Sequence, residues 1–90
     1  MDKNTTKLLS WILRGSQRRV IIRSIDGAKI PAQIYQQARK DNPKITRNSV
    51  SDVLRAFRKK GLVKCINPYE RIGRIYRLTE LGKTILAKAK

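Results

Sequence analysis

Inside "TRNSVSDVLRAFRKKGLV", residues 46–63, Val50, Val53, Leu54 and Phe57 fall at i, i+3, i+4 and i+7, and then the period changes. That spacing makes one buried stripe on an α-helix over about 46–60. After Gly61 the residues alternate, first in "LVKCI" and again in "RIYRLT", with "NPYERIG" between the two runs. β-branched and aromatic alternation around an Asn, Pro and Gly loop is a hairpin pattern, here over about 62–79. Gly61 ends the helix, and the pattern switches period at once. Opposite the apolar stripe, at about 100° per residue, gather Asn48, Ser51, Asp52, Arg55 and Lys59, with Arg47, Ser49 and Arg58 at the margins. Short hydrogen-bonding side chains come first on this face, and long cations follow.

The remaining segments read as helices. Asn4 or Thr5 is placed to cap a first helix through about Arg14, with Leu8, Leu9, Ile12 and Leu13 as its apolar strip and Trp11 beside it. Ser16 can cap a second, in which Ile21, Ile22 and Ile25 share a face, and Asp26-Gly27 signals a turn. Pro31 suits the first turn of a third helix ending near Arg39, with Ile34 and Ala38 inward. Asp41-Asn42-Pro43 stops it, Ile45 plugs the core from the loop, and Thr46 caps the next helix. After the hairpin, Thr79 caps a final helix with Glu80 at its positive end, Leu81, Ile85 and Leu86 inward, and Lys88 and Lys90 at its negative end. The expected fold is one domain over residues 1–90, mainly α with a β-hairpin. A helix-turn-helix followed by a hairpin is a winged helix-turn-helix, here with an extra N-terminal helix and a C-terminal helix.

Charge decides which partners such a domain suits. Lys and Arg number 22 against 6 Asp and Glu, a formal charge of +16 on 90 residues, and the cations divide 10 to 12 between residues 1–45 and 46–90. A compact body so charged repels itself and attracts polyanions. Ion-pair-rich surfaces balance Lys with Glu, and this chain has two Glu. With no His, a single Cys65 expected as a small buried hydrophobe, and scattered acids, the sequence offers no acid–base pair, zinc site or disulfide. The chain therefore reads as neither an enzyme nor a cofactor protein. "LLSWIL" and "VII" are too short to span a bilayer, and no signal-peptide pattern opens the sequence, so the expected location is cytoplasmic, at the nucleoid.

The stretches "WILRGSQRRVIIRSIDGAKIPAQIYQQA", "SVSDVLRAFRKKGLVKCINP" and "GRIYRLTELGKTIL" resemble the winged helix-turn-helix transcriptional regulators of archaea, broadly related to the MarR and ArsR families. The resemblance implies that the helix from Thr46 is the recognition helix, that the one from Pro31 supports it, and that residues 67–74 form the wing. "DNPKI" between the two helices is longer and more polar than a tight helix-turn-helix turn. Double-stranded DNA is the implied partner.

On that reading the residue types acquire roles. Asn48 suits a bidentate contact to adenine, Arg47 and Arg55 to guanine, and Ser49 and Ser51 to bases or phosphate. Asp52 either accepts from a cytosine amine or pairs with Arg55 on the helix surface. Arg58, Lys59 and Lys60 either touch phosphates or complement the helix dipole. Tyr69, Arg71 and Arg74 on the wing follow the backbone or enter the minor groove, and Arg18, Arg19 and Lys29 are candidate flanking contacts. The strip around Trp11 either packs on the domain's own core or, with the last helix, forms the seam of a homodimer whose recognition helices lie about 34 Å apart. Two other readings stand beside the sequence-specific regulator: a nonspecific architectural nucleic-acid-binding protein, and a winged-helix protein-interaction module.

Overall fold

In a computed structural model that describes residues 2–89, the chain is mainly helical with one small antiparallel hairpin. The described elements are α1 (Lys3–Arg14), α2 (Ser16–Arg23), α3 (Pro31–Asp41), α4 (Arg47–Lys59), β1 (Val63–Cys65), β2 (Tyr76–Leu78) and α5 (Glu80–Ala89). Lys88 sits in the last turn of α5, as its charge suits; Lys90 lies outside the described residues.

Helix α4 forms where the apolar period places it. Thr46 Oγ1 accepts the Ser49 N–H at 3.0 Å, which closes the first turn, and Gly61 stops the helix at a φ of +76°, a left-handed conformation that glycine adopts without strain. Val50, Leu54 and Phe57 are buried and Val53 half-buried. Ile21, Ile22 and Ile25 from α2 and its exit, Ile34 and Ala38 from α3, Ile45 from the loop, Leu62, Val63 and Leu78 from the hairpin, and Ile85 from α5 close over that stripe. Trp11 stands edge-on to Phe57 with ring centroids 5.8 Å apart, and Ile12 beside it is fully buried.

Several local expectations shift. The first helix is capped by Asp2, not by Asn4 or Thr5: its carboxylate accepts the Thr5 N–H at 2.7 Å. An acidic cap also interacts favourably with the helix dipole, and Asn4 and Thr5 fall within the first turn. Ser16 is the first residue of α2, whose cap is Gly15, with no side-chain hydrogen bond. Leu13 is 44 % exposed, because α1 turns Ile12 fully into the core and packs a half-buried Trp11 beside it. Helix α3 runs on to Asp41, two residues past the expected end. The strands are shorter than the alternating runs, and Cys65 is only half-buried, its thiol donating weakly to Asn67 Oδ1 at 3.6 Å.

The hairpin pairs Val63 with Leu78, Lys64 with Arg77, and Cys65 with Tyr76. A single further rung comes from the loop before α3: Lys29 N–H donates to Tyr76 O at 2.9 Å and Tyr76 N–H to Lys29 O at 2.8 Å. That rung ties the start of α3 to the hairpin, so α3, α4 and β2 border one another on the same side of the molecule. On the opposite flank, Gly82 lets α5 lie against the start of the hairpin; an added Cβ would overlap the Leu62 carbonyl.

Two measurements test these contacts. Gly82→Ala should destabilise the fold by about 1–3 kcal/mol, because the obstacle is backbone, and thermal unfolding should register a fall of about 4–8 °C for each kcal/mol. The Asp2 carboxyl is held below its ordinary value, first by the Thr5 backbone N–H. A depressed carboxylate contributes above its unfolded value of about 3.9, and that contribution is lost as pH falls through the folded value. Acid titration by NMR should therefore show the Thr5 and Thr6 amides leaving their helical shifts below about pH 4, with Asp2→Asn flattening the change.

Candidate nucleic-acid interface

The face of α4 left by its buried stripe divides in two. Arg47, Ser51, Arg55 and Arg58, at i, i+4, i+8 and i+11, form a row along the border of the stripe. Asn48, Asp52 and Lys59 lie further round, on the open side of the helix, all exposed.

The row is the wall of a furrow. At its lower end Arg55 and Arg58 meet Arg74 from the hairpin, with Ser51, Pro31 and Tyr76, around a cleft of about 230 Å³. Three arginines from segments far apart in the chain thus line one cleft, with no carboxylate in the lining. At the upper end Arg47 and Tyr35 border a second groove of about 220 Å³, which shares Pro31 and Ser51 with the first. Such a groove favours an anion with several oxygens, since each guanidinium offers a planar fork of donors.

Some of these cations are pre-positioned. Arg74 Nε donates to Glu70 O at 2.8 Å, which fixes the guanidinium at the base of the hairpin loop. Arg47 lies 5.5 Å from the centre of the Tyr35 ring, and Arg39 lies 5.6 Å from it. Arg55 pairs with Asp52 at 3.4 Å, one of the two roles expected for Asp52. Both partners are well exposed, so the pair contributes at most about 0.5 kcal/mol and is readily exchanged for another anion. Ser49 is partly withdrawn: its hydroxyl shares a 2.9 Å hydrogen bond with Thr46 in the helix cap.

The loop after β1 is built around Asn67, which the sequence did not mark as more than a turn residue. Its side chain accepts the Ile75 N–H at 2.7 Å and donates to Gly73 O at 3.1 Å, while its carbonyl accepts the Glu70 N–H at 3.1 Å. Gly73 completes the return at a φ of +72°. Tyr69 and Arg71 are exposed on this clasped tip, together with Ile72.

The other basic residues distribute differently. Arg18 and Lys60 lie over Trp11, at 4.5 and 4.8 Å from its ring centre, and the Arg18 guanidinium occupies space that only a glycine at position 15 leaves open. Within the chain, Leu8, Leu9 and Trp11 of this strip pack half-buried against the core, and Leu13 stays exposed. Arg19 is exposed at the start of α2. Lys29 borders a separate groove with Arg23 and Gln33, away from the arginine cleft. Arg58, which sequence reasoning left between phosphate and dipole, stands in the cleft itself.

Among the described residues two ion pairs form, Asp52–Arg55 and Glu80–Lys83, so the furrow's charge is largely uncompensated. No helix among them is long and apolar enough to cross a membrane. The chain matches no family model, no curated protein and no solved structure.

Asn67→Ala should cost about 1–2 kcal/mol by removing two loop hydrogen bonds. Backbone relaxation should show residues 68–74 loosening while α4 keeps its order; unchanged relaxation would mean that the loop does not depend on this clasp.

Proposed function

We propose that this chain is a winged helix-turn-helix protein that binds double-stranded DNA as a sequence-specific transcriptional regulator. In this reading α4 is the recognition helix, α3 its support and the hairpin the wing. The observation that carries it is that Arg55, Arg58 and Arg74 line one cleft between α4 and the hairpin, on a helix that also exposes Asn48.

A major groove about 12 Å wide admits one α-helix, and the first half of that helix reaches base edges. Asn48 and Ser51 are the exposed short side chains there, suited to adenine and to bases or phosphate. Arg55 exchanges Asp52 for guanine or backbone, and Arg47 reaches the groove edge beside Tyr35. Arg58 and Arg74 hold a phosphate between helix and wing, while Lys59 and Arg71 extend the backbone contact. Neutralising phosphates releases counterions, which supplies much of the affinity and makes it salt-dependent.

The nonspecific architectural reading is favoured by one feature: more of these groups suit phosphate than base edges, with Ser49 engaged in the cap. The two readings differ in sequence discrimination. Selection from random duplexes, followed by a salt titration against a scrambled control, should give a consensus preferred by about a thousandfold or more. A palindromic consensus would add two-fold assembly to the reading, and a single half-site would remove it.

Arg55→Ala should relax base preference by about 1–3 kcal/mol at one position. Arg58→Ala and Arg74→Ala should weaken all sequences alike and each lower the salt slope by about 0.9. Equal, sequence-independent losses from all three would overturn the recognition-helix assignment in favour of architectural binding.

A further inference from the structure

We propose that the tip of the hairpin carries an apolar wedge, Ile72 with Tyr69, that enters the minor groove of the bound duplex and opens a base step, bending the DNA. The inference rests on the DNA-binding reading above and adds a deformation that the reading does not require.

Tyr69 is 97 % and Ile72 91 % exposed, against 44 % for Leu13 and 47 % for Ile66, the other large apolar residues that stand out. Isolated exposed hydrophobes are ordinary on protein surfaces. These two share a five-residue tip, on a loop that is held and not slack. Pro68 restricts the backbone ahead of Tyr69, Asn67 clasps residues 73 and 75, and Arg74 Nε is tied to Glu70 O. Burying either side chain against the domain would have been favourable, yet the loop holds both outward.

Arg71 lies between the two in sequence and Arg74 follows two residues after Ile72, so the tip offers cations to phosphates close beside its apolar surface. Glu70 is the one carboxylate at the tip and opposes close approach on its side. The matching partner is an anionic body with an apolar interior reachable between its charges, which describes a base stack entered through the minor groove. Apolar side chains inserted there partly unstack a step and kink the duplex by about 20–90°. Pyrimidine–purine steps open most readily, so the wedge would prefer a flexible step beside the site read by α4.

The experiment uses the full chain and a duplex of about three helical turns carrying a fluorophore at each end, with binding followed separately by anisotropy. Wild type should shorten the end-to-end distance on binding, more with a TA step at the wing position than with an A-tract. The double variant Tyr69→Ser, Ile72→Ser should still bind, within about tenfold of wild type, but leave the duplex straight. Ile72→Leu should restore the bend. Both residues are exposed, so unchanged thermal unfolding should accompany each substitution. A wild-type complex with straight DNA, or an equal bend from the double variant, would overturn the wedge while leaving DNA binding in place. Absence of any anisotropy change at low salt would instead overturn the DNA-binding reading, and the wedge with it.

Discussion

Burial of one face of α4 is the interaction on which the rest of the molecule depends. Phe57 is fully buried, Trp11 closes over its edge, and its carbonyl accepts the Leu62 N–H at 2.8 Å, so the same residue anchors the core and the turn into the hairpin. A 90-residue chain has little core to spare. Every other helix reaches the centre through one or a few branched side chains: Ile12 from α1, Ile21 and Ile22 from α2, Ile34 from α3 and Ile85 from α5. Fixing the rotation of α4 about its axis also fixes which of its polar residues border the hairpin. Core packing and the candidate interface are consequently two consequences of one constraint.

Electrostatics works against this compact arrangement. A net charge of +16 is repulsive in a folded body, and the described residues offset it with only two exposed ion pairs. Arg55, Arg58 and Arg74 are brought closer together by folding than they would be in an extended chain. A ligand that supplies negative charge to that cleft relieves the repulsion and stabilises the fold by mass action. The aromatic rings temper the cost in the absence of ligand: Tyr35 accepts Arg39 and Arg47, and Trp11 accepts Arg18 and Lys60, each over an electron-rich face.

Much of the fold was legible residue by residue. The stripe of Val50, Val53, Leu54 and Phe57, the Thr46 cap, the Gly61 stop, the Asn67–Gly73 turn and the Thr79 cap all rest on interactions within a few positions of one another, and each stands where the sequence puts it. Competing local signals were harder to rank. Asp2, Asn4 and Thr5 are all competent caps, and the outcome turned on which one met the dipole first; Leu13 and Trp11 both flank Ile12, and the larger ring packs half-buried against the core while Leu13 faces out. Of the candidate interface, the residues on α4 and at the hairpin tip were readable as exposed and basic. Their grouping was not, because Arg58 and Arg74 become neighbours only through the packing of hairpin on helix.

By itself the sequence determined the five helical segments, the hairpin, the stripe that must be buried and the excess of cations, because periodicity, capping and charge are properties of neighbouring residues. Tertiary structure decided the rest. The Lys29–Tyr76 rung, which joins backbone groups almost fifty residues apart, places the start of α3 beside β2 and so gives the arginine cleft its third wall. Hydrogen bonds of that kind carry no side-chain signature, since any residue offers the same N–H and C=O. Only the folded chain, with α4 already seated on its core, brings them within reach.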